Sequence, residues 1–398
     1  MTAETTFLKD YLPPNYTTVE THLDFDIHSG ATRVRSRLRI ERNPSAQSDG
    51  GSLVLYGQDL ELTAIALDGV PLGGNEYRVD DECLEIFQLP ARCELRIETL
   101  IEPEANTSLE GLYKSSGMYC TQCEAEGFRK ITYYQDRPDV LSRFTTTVEA
   151  DAADYPILLS NGNLVTDELV ADGARRRVTW EDPFPKPSYL FALVAGDLAL
   201  LEDQFVTASG RTVVLRIYSE PHNIGQCDYA MSALKRAMRW DEEVFGREYD
   251  LDIFMIVAVE DFNMGAMENK GLNVFNTSCV LASPDTATDA AYLRVEAVVA
   301  HEYFHNWSGN RVTCRDWFQL SLKEGFTVFR DAEFSSDMNS RTVKRIEDVN
   351  FLRSVQFAED VGPMAHPIRP DSYIEIANFY TTTLYEKGSE VVRMLHTL

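Results

Sequence analysis

The chain has 398 residues, of which 63 are acidic and 37 are basic, and its formal net charge is −26 at pH 7. Single hydrophobic cores stop growing at about 250–300 residues, so we expect two domains. The negative charge argues against nucleic acid and anionic membranes as partners. No run approaches the roughly 18 apolar residues of a membrane-spanning helix, and residues 1–12 lack the apolar core of a secretory signal. These features predict a cytoplasmic protein without an integral membrane segment.

The first half of the chain alternates between apolar and polar residues, as a half-buried β-strand does. Leu23, Phe25 and Ile27 show this alternation, and later segments repeat it. The pair Asn161-Gly162 is typical of a tight hairpin turn. Residues 1–197 therefore predict an antiparallel β domain.

Cys120 and Cys123 form a C-x-x-C pair within this half, among seven cysteines in the whole chain. Such a pair occurs in redox proteins and in half of a zinc site. No second C-x-x-C pair and no thioredoxin-like pattern accompany it. We therefore favour reduced thiols.

The second half, residues 198–398, mixes helical and strand patterns and predicts an α+β domain. Residues 229–245 read as a helix, and the apolar run Ile253–Val259 reads as a buried strand. Leu272–Asn276 is interpreted as an edge strand, which could pair with an extended peptide by strand addition. Between these strands, Gly265 would let another backbone approach closely.

A long helix is predicted over residues 290–307, which contain neither proline nor glycine. Thr288 or Asp289 would cap its first turn, and Gly309 would end it. Its predicted buried stripe consists of Leu293, Ala297, Ala300 and Phe304.

This helix carries His301 and His305, which lie four residues apart and therefore share one face. Both imidazoles could bind one zinc ion, and Glu302 between them could act on water at the metal. Glu324 follows after 18 intervening residues, enough for a turn and a second helix that supplies a third ligand. Two histidines and one glutamate leave a fourth position open, as in a catalytic zinc site. Glu324 also fits a capping box with Ser321, and the two interpretations are compatible.

Metal-bound histidines usually donate their second ring N–H to a carboxylate or a carbonyl. Asp331 lies seven residues after Glu324, on the same face of the predicted helix, and is a candidate for this contact. An acid on the protein surface is an equally good interpretation of Asp331.

The histidine motif with Glu324, together with the sequence Gly-Ala-Met-Glu-Asn at residues 265–269, resembles the zinc aminopeptidase N family of exopeptidases. Three further segments carry the same resemblance, which runs along the whole chain: residues 118–129, 186–192 and 378–388. The resemblance implies a β domain followed by a thermolysin-like catalytic domain, with one zinc ion per chain.

The resemblance also implies roles in catalysis. Glu302 would be the general base that takes a proton from water activated by zinc. Tyr385 would donate a hydrogen bond to the developing oxyanion. Without the family pattern, Tyr385 would read as a core aromatic residue.

Substrate binding is assigned to a second set of residues by the same resemblance. Glu124 and Glu268 would hold the free α-ammonium group of a peptide, which an acylated N-terminus lacks. Met264 would line the pocket for the first side chain, because its flexible thioether tolerates varied shapes. The backbone of the peptide would be bound within the segment of Gly265, Ala266, Met267, Glu268 and Asn269.

The predicted function is a monomeric zinc aminopeptidase with broad preference, including alanine and basic residues. Two alternatives stay open: a related hydrolase that opens an epoxide, and a relative that has lost catalysis and serves as a scaffold. The pattern around Glu124 and Cys120 disfavours the first, and the intact metal-site residues disfavour the second.

The chain closes at Leu398 within a helical pattern that starts at Gly388. The family continues with further, mostly helical domains, so the resemblance implies a fragment of a longer protein. We therefore expect apolar side chains to be exposed near this end.

Overall fold

The computed structural model describes residues 5–46 and 51–398. Residues 5–196 consist mainly of strands joined by turns. In chain order the strands are β1 (Thr6–Phe7), β2 (Tyr16–His28), β3 (Ala31–Arg42), β4 (Leu53–Tyr56), β5 (Glu61–Leu67), β6 (Val70–Pro71), β7 (Tyr77–Val79), β8 (Cys83–Ile86), β9 (Arg92–Ile101), β10 (Gly111–Ser115), β11 (Met118–Gln122), β12 (Ser142–Asp151), β13 (Ile157–Ser160), β14 (Asn163–Val170), β15 (Arg175–Lys186) and β16 (Leu193–Gly196).

The largest sheet in this half has eight strands in the order β14-β15-β12-β2-β3-β9-β5-β6. The predicted alternation is confirmed, since Leu23, Phe25 and Ile27 of β2 are all buried in the core. One pairing differs from the prediction, because β2 and β12 run parallel. Strand β2 lies in the middle of the sheet, and the chain returns to its side, as β12, only after it has formed β3 to β11. Parallel neighbours need such a crossover, so the sheet is mixed rather than purely antiparallel.

The hairpin predicted at Asn161-Gly162 is wrong, because β13 pairs with β16 while β14 pairs with β15. The turn still needs its glycine: Gly162 has a φ of 93°, and an added Cβ would lie 2.1 Å from the carbonyl oxygen of Glu181. The Asn161 amide donates to the carbonyls of Leu190 and Lys270 at 3.0 and 2.9 Å. The pair therefore leads the chain from one sheet to another and ties this half to the next.

The second half of the chain contains a sheet and a set of helices, and the predicted boundary after residue 197 falls between β16 and the next strand. The strands are β17 (Ala199–Val206), β18 (Thr212–Ser219), β19 (Ile253–Val259), β20 (Ala266–Met267), β21 (Leu272–Asn276) and β22 (Ser372–Tyr373); the helices are α1 (Asp228–Phe245), α2 (Asp289–Phe304), α3 (Leu320–Met338), α4 (Arg341–Phe351), α5 (Phe357–Asp360) and α6 (Gly388–Thr397). The helix expected near 229–245 and the buried strand β19 are confirmed.

The sheet in this half has the order β17-β18-β19-β21-β20. The prediction that Leu272–Asn276 is the edge strand is wrong, because β21 pairs with β19 on one side and with β20 on the other. The short strand β20 lies at the edge instead. The chain between β19 and β21 runs past β21 and forms β20 on its outer side. β20 therefore carries the backbone groups that no further strand of this sheet pairs with.

β19 holds the two halves of the core together, because both of its faces are buried. Met255, Val257 and Val259 pack toward the N-terminal sheets. Phe254 and Ile256 point the other way, toward α1 and α2. A central strand with two apolar faces thus fixes α2 against the sheet.

Helix α2 packs through a different stripe from the predicted one. Ala300 and Phe304 are buried as expected, but Leu293 is exposed and Ala297 lines a cavity. The core side chains of α2 are Val295, Val299, Ala300, Tyr303 and Phe304. Ala297 lies four residues before His301, and the structure turns the side of the helix that carries these two residues toward the cavity.

The two ends of α2 were predicted with different success. Thr288 caps the first turn, since its side chain accepts from the Ala291 N–H at 3.2 Å. The helix stops at Phe304 rather than near Trp307, and His305 is its last capping residue. The carbonyl of His305 accepts from the Asn310 N–H at 3.0 Å, so the chain turns directly after the second histidine.

The helices after β21 expose apolar side chains, as the sequence analysis expected. They include Val343, Ile346, Phe351, Phe357, Met394 and Leu395, and Val361 and Met364 are exposed in the turns that follow α5. Within the described residues, none of the helices has both the length and the apolar character needed to cross a membrane.

Candidate metal centre and catalytic cavity

His301, His305 and Glu324 converge on one point. The two Nε2 atoms are 3.0 Å apart, and each lies 3.3 Å from Oε2 of Glu324. A tetrahedral zinc ion with bonds of about 2.0–2.1 Å has ligand atoms roughly 3.3–3.4 Å apart. The spacing of the three atoms therefore fits three corners of such a site.

The second nitrogen of each ring is already engaged. Nδ1 of His301 lies 2.7 Å from Oδ2 of Asp331, and Nδ1 of His305 lies 2.8 Å from the carbonyl oxygen of Ser308. Both acceptors require a proton on Nδ1, which leaves the Nε2 lone pair of each neutral ring facing the other. Two facing lone pairs beside a carboxylate suit a cation, so these residues fit the metal that the motif implies.

Replacing Asp331 by alanine should weaken zinc binding by about 10–100-fold, because His301 loses the partner that orients its ring. Competition with a chromogenic chelator would measure this change. Asp337→Ala is the matched control on the same helix, since Asp337 bonds to Trp240 and Arg341 outside the cavity. Equal zinc affinities for the two variants would show that Asp331 does not support the metal centre.

The capping box predicted for Ser321 and Glu324 is not formed. Helix α3 begins two residues earlier than that box requires, at Leu320, and no side chain caps it. Ser321 donates to the carbonyl of Ile368 instead. Glu324 is free to face the histidines with one oxygen, so only the metal-ligand interpretation of this residue is supported by its contacts.

Glu302 lines the same cavity as the three candidate ligands, and it is buried. Within the described residues its carboxylate has no hydrogen-bond partner from the protein. Burial, followed by the neighbouring charges of Glu268 and Glu324 and opposed by His301, raises the pKa of Glu302 well above its ordinary value. A bound divalent cation would lower that pKa again. A carboxylate whose pKa is raised accepts a proton more readily than a free glutamate does.

The cavity has a volume of about 600 Å³, and the edge strand β20 forms part of its wall. Met264, Gly265, Ala266 and Glu268 line it as predicted. The predicted substrate-binding residues Met267 and Asn269 are not brought to the cavity. Met267 is fully buried, because successive side chains of a strand point to opposite faces, and Asn269 donates to the carbonyl of Phe191 at 3.1 Å. These two residues support the wall from behind.

Glu124 and Glu268 lie together at one end of the cavity, beside Lys323. The Lys323 ammonium lies 2.7 Å from Oε1 of Glu124 and 2.5 Å from Oε1 of Glu268. Burial and the neighbouring carboxylates raise the pKa of Glu124 to about 8, whereas Lys323 lowers it. For Lys323, burial opposes the positive charge, but the carboxylates outweigh burial and raise its pKa well above the ordinary value. Sequence reasoning missed Lys323, and its position next to Glu324 was the one available signal.

Two tyrosines line the cavity, although only Tyr385 was predicted. Burial raises the pKa of both, and the largest carboxylate contribution comes from Glu324 for Tyr385 and from Glu124 for Tyr380. The other lining residues that sequence reasoning did not name are Glu110, Ala125, Asn263, Val298, Val328 and Ala377.

All seven cysteines are unpaired. Cys120 and Cys123 are buried, and so are the others except Cys83, which is half-buried. Burial raises the pKa of Cys120 to about 12 and that of Cys123 well above its ordinary value. Protonated, buried thiols are inert. Their contacts support the prediction of reduced thiols.

Comparison with known proteins places both halves of the chain. Residues 13–190 match the Peptidase M1 N-terminal domain, and residues 229–398 match the Peptidase family M1 domain. Aminopeptidase N of Caulobacter vibrioides is 59% identical over 391 residues, which cover 98% of this chain and 45% of that protein. Aminopeptidase N of Escherichia coli is 57% identical over 389 residues, which cover 98% of this chain and 44% of that protein.

A solved structure agrees with this placement. The crystal structure of Legionella pneumophila aminopeptidase A in complex with aspartic acid matches with a TM-score of 0.93 and 37% identity, and the match covers 99% of this chain and 45% of that one. The chain belongs to peptidase family M1. The resemblance to the aminopeptidase N family and the predicted β domain followed by a catalytic domain are thereby confirmed. The chain spans about half the length of the curated relatives that it matches.

Proposed function

We propose that this cavity is the active site of a zinc aminopeptidase that removes single N-terminal residues from peptides. One observation carries the proposal: carboxylate oxygens of Glu124, Glu268 and the candidate ligand Glu324 all lie within 4.8 Å of one another. In an amino acid, the α-nitrogen and the carbonyl carbon are only about 2.5 Å apart. A substrate whose ammonium group reaches the acidic pair thus presents its first peptide bond, and no later one, to the metal centre.

The residues of the cavity divide the chemistry among them. Zinc, when bound, acts as a Lewis acid that polarises a carbonyl and lowers the pKa of water. Glu302 accepts the proton of the attacking water and passes it to the leaving amine. Tyr385 donates its hydroxyl to the oxygen that becomes negative in the transition state. The free backbone groups of β20 orient the peptide by strand addition.

The side chains that line the cavity support a substrate preference, and the cysteines support a cellular location. Met264 and the small side chains Ala125 and Ala377 leave room for varied first residues, and alanine is one of them. The many carboxylates of the cavity favour basic side chains as well. The unpaired cysteines support a reducing compartment, and hence a cytoplasmic location. The names of the matched relatives, which are aminopeptidases, agree with this proposal.

Hydrolysis of an L-alanyl chromogenic anilide by the zinc-loaded chain, beside its N-acetylated form, tests the proposal. Cleavage of the free-amine substrate alone is expected, because acetylation removes the charge that the acidic pair binds. Equal cleavage of both substrates would contradict exopeptidase action. Bound zinc without any cleavage would favour the scaffold interpretation.

A further inference from the structure

Lys323 lies behind the acidic pair and is not itself part of the cavity lining. Its side chain is 1% exposed, and three carboxylates surround its ammonium group. Two of them belong to Glu124 and Glu268, and the third is Oε1 of Glu324, at 2.6 Å. A buried ammonium group in contact with three carboxylates is rare enough to require an explanation.

The contacts follow one rule in all three carboxylates. Lys323 touches Oε1 of Glu124, Oε1 of Glu268 and Oε1 of Glu324. In Glu324 the other oxygen, Oε2, faces both histidines. Each carboxylate thus gives one oxygen to the lysine and keeps the other for a second partner. For Glu124 and Glu268, which line the cavity, the other oxygen has no hydrogen-bond partner among the described residues, so a partner can come from the cavity.

The charges balance when a substrate is added. With both carboxylates ionised, Glu124, Glu268 and Lys323 together carry −1, so one ammonium group brings the sum to zero. Without Lys323 the same pair would carry −2, and two carboxylates so close together repel each other strongly in a buried site. The lysine therefore allows the pair to converge on one small cation.

The backbone around Lys323 leaves its side chain little freedom. Gly309 has a φ of 132°, and a Cβ added there would lie 3.2 Å from Cγ of Lys323 and 2.8 Å from Nδ1 of His305. The turn after α2 thus packs directly against the aliphatic part of the Lys323 side chain. A charge held this tightly can orient its partners before a substrate arrives.

We propose that Lys323 is a positioning residue that sets Glu124 and Glu268 for the substrate's α-ammonium group. This inference rests on the proposed aminopeptidase function and names a determinant of its selectivity for free N-termini. Lys323 fixes one oxygen of each carboxylate, so that the other two oxygens point at the same place. It does not touch the substrate.

The test compares two ligands that differ only in the amine: 1-aminoethylphosphonate and ethylphosphonate. Both offer a phosphonate to the metal, and only the first offers an ammonium group. Calorimetric titration of the zinc-loaded protein is expected to show a preference for the amino compound. Lys323→Met should reduce that preference by about 10–100-fold, the size expected for the loss of a hydrogen bond to a charged group. Its affinity for ethylphosphonate and its zinc content should stay unchanged.

Lys186→Met is the matched control, because Lys186 is equally buried and pairs with Asp182 at 3.1 Å outside the cavity. It should keep the full preference for the amino compound. Lys323→Gln serves as a second variant should Lys323→Met fail to fold. If neither Lys323 variant folds while Lys186→Met does, Lys323 belongs to the stability of the fold and the proposal is overturned.

The remaining outcomes separate this inference from the function on which it rests. A wild-type protein that binds both phosphonates equally would contradict the aminopeptidase proposal itself. A wild-type preference that survives in the folded Lys323 variants, or increases, would overturn the role of Lys323 alone. Equal weakening of both ligands would assign Lys323 to the metal centre instead, and would also overturn it.

Discussion

Replacement of Glu302 by glutamine is expected to lower kcat by about 10²–10⁴-fold while zinc stays bound, because an amide of the same shape cannot accept the proton of water. Glu302 lines the cavity one residue after His301 and has no hydrogen-bond partner from the described protein residues. The measurement is kcat on the L-alanyl anilide together with the zinc content of each preparation. Turnover near the wild-type rate would show that Glu302 is not the general base.

The zinc content decides a second question, since one of the other groups of side chains that could hold a metal here includes Glu302. His301, His305 and Glu324 form one group, and Glu268, Glu302 and His305 form another. Both histidine rings are anchored through Nδ1, which favours the first group. In that case Glu302→Gln keeps its zinc. Loss of metal from Glu302→Gln would show that Glu302 is a ligand and that the catalytic role is misassigned.

Glu296→Gln is the control for this variant. Glu296 is a buried glutamate on the same helix, but it pairs with Arg236 at 2.6 Å and accepts from Asn339 at 2.6 Å. Its replacement should lower the melting temperature through these lost contacts and leave kcat within a few-fold. A rate loss equal to that of Glu302→Gln would mean that any buried acid on α2 disturbs the site.

The parts of the site that could be predicted from sequence are those that depend on local spacing. Two histidines four residues apart share a helix face whatever the rest of the fold does, so His301 and His305 needed only the helix. Glu324 needed one further step, a second helix packed against the first. The buried strand β19 was equally local, because seven consecutive apolar residues favour burial on both faces.

The parts that sequence missed depend on contacts between distant segments. Lys323 is explained only when Glu124 from the N-terminal half and Glu268 from the turn after β20 are placed beside it. The edge position of β20 depends on strand order, which hydrophobic periodicity does not contain. The Asn161-Gly162 turn has hairpin chemistry, yet its flanking strands find partners in different sheets. Local patterns specify which residues form an element, and long-range pairing decides what that element faces.

Tyr385→Phe is expected to lower kcat by about 10²–10³-fold with little change in zinc content, because it deletes one hydrogen-bond donor aimed at the oxyanion. Burial, with Glu324 as the next largest cause, raises the pKa of Tyr385 well above its ordinary value. The hydroxyl therefore stays protonated at neutral pH, where it can act as a donor. Steady-state kinetics on the free-amine anilide would measure the loss.

The cavity supplies its own matched control in Tyr380→Phe, which removes the same atom from the same ring type. The Tyr380 hydroxyl is buried without a hydrogen-bond partner in the described structure, and Glu124 is the carboxylate that raises its pKa most. Because Glu124, which is assigned to substrate binding, affects this hydroxyl more than Glu324 does, we expect its loss to change KM more than kcat. Tyr385→Phe should change kcat more than KM, since a donor used only in the transition state adds nothing to ground-state binding. If the larger kcat loss falls on Tyr380→Phe, the oxyanion donor is Tyr380 and the role proposed for Tyr385 is wrong.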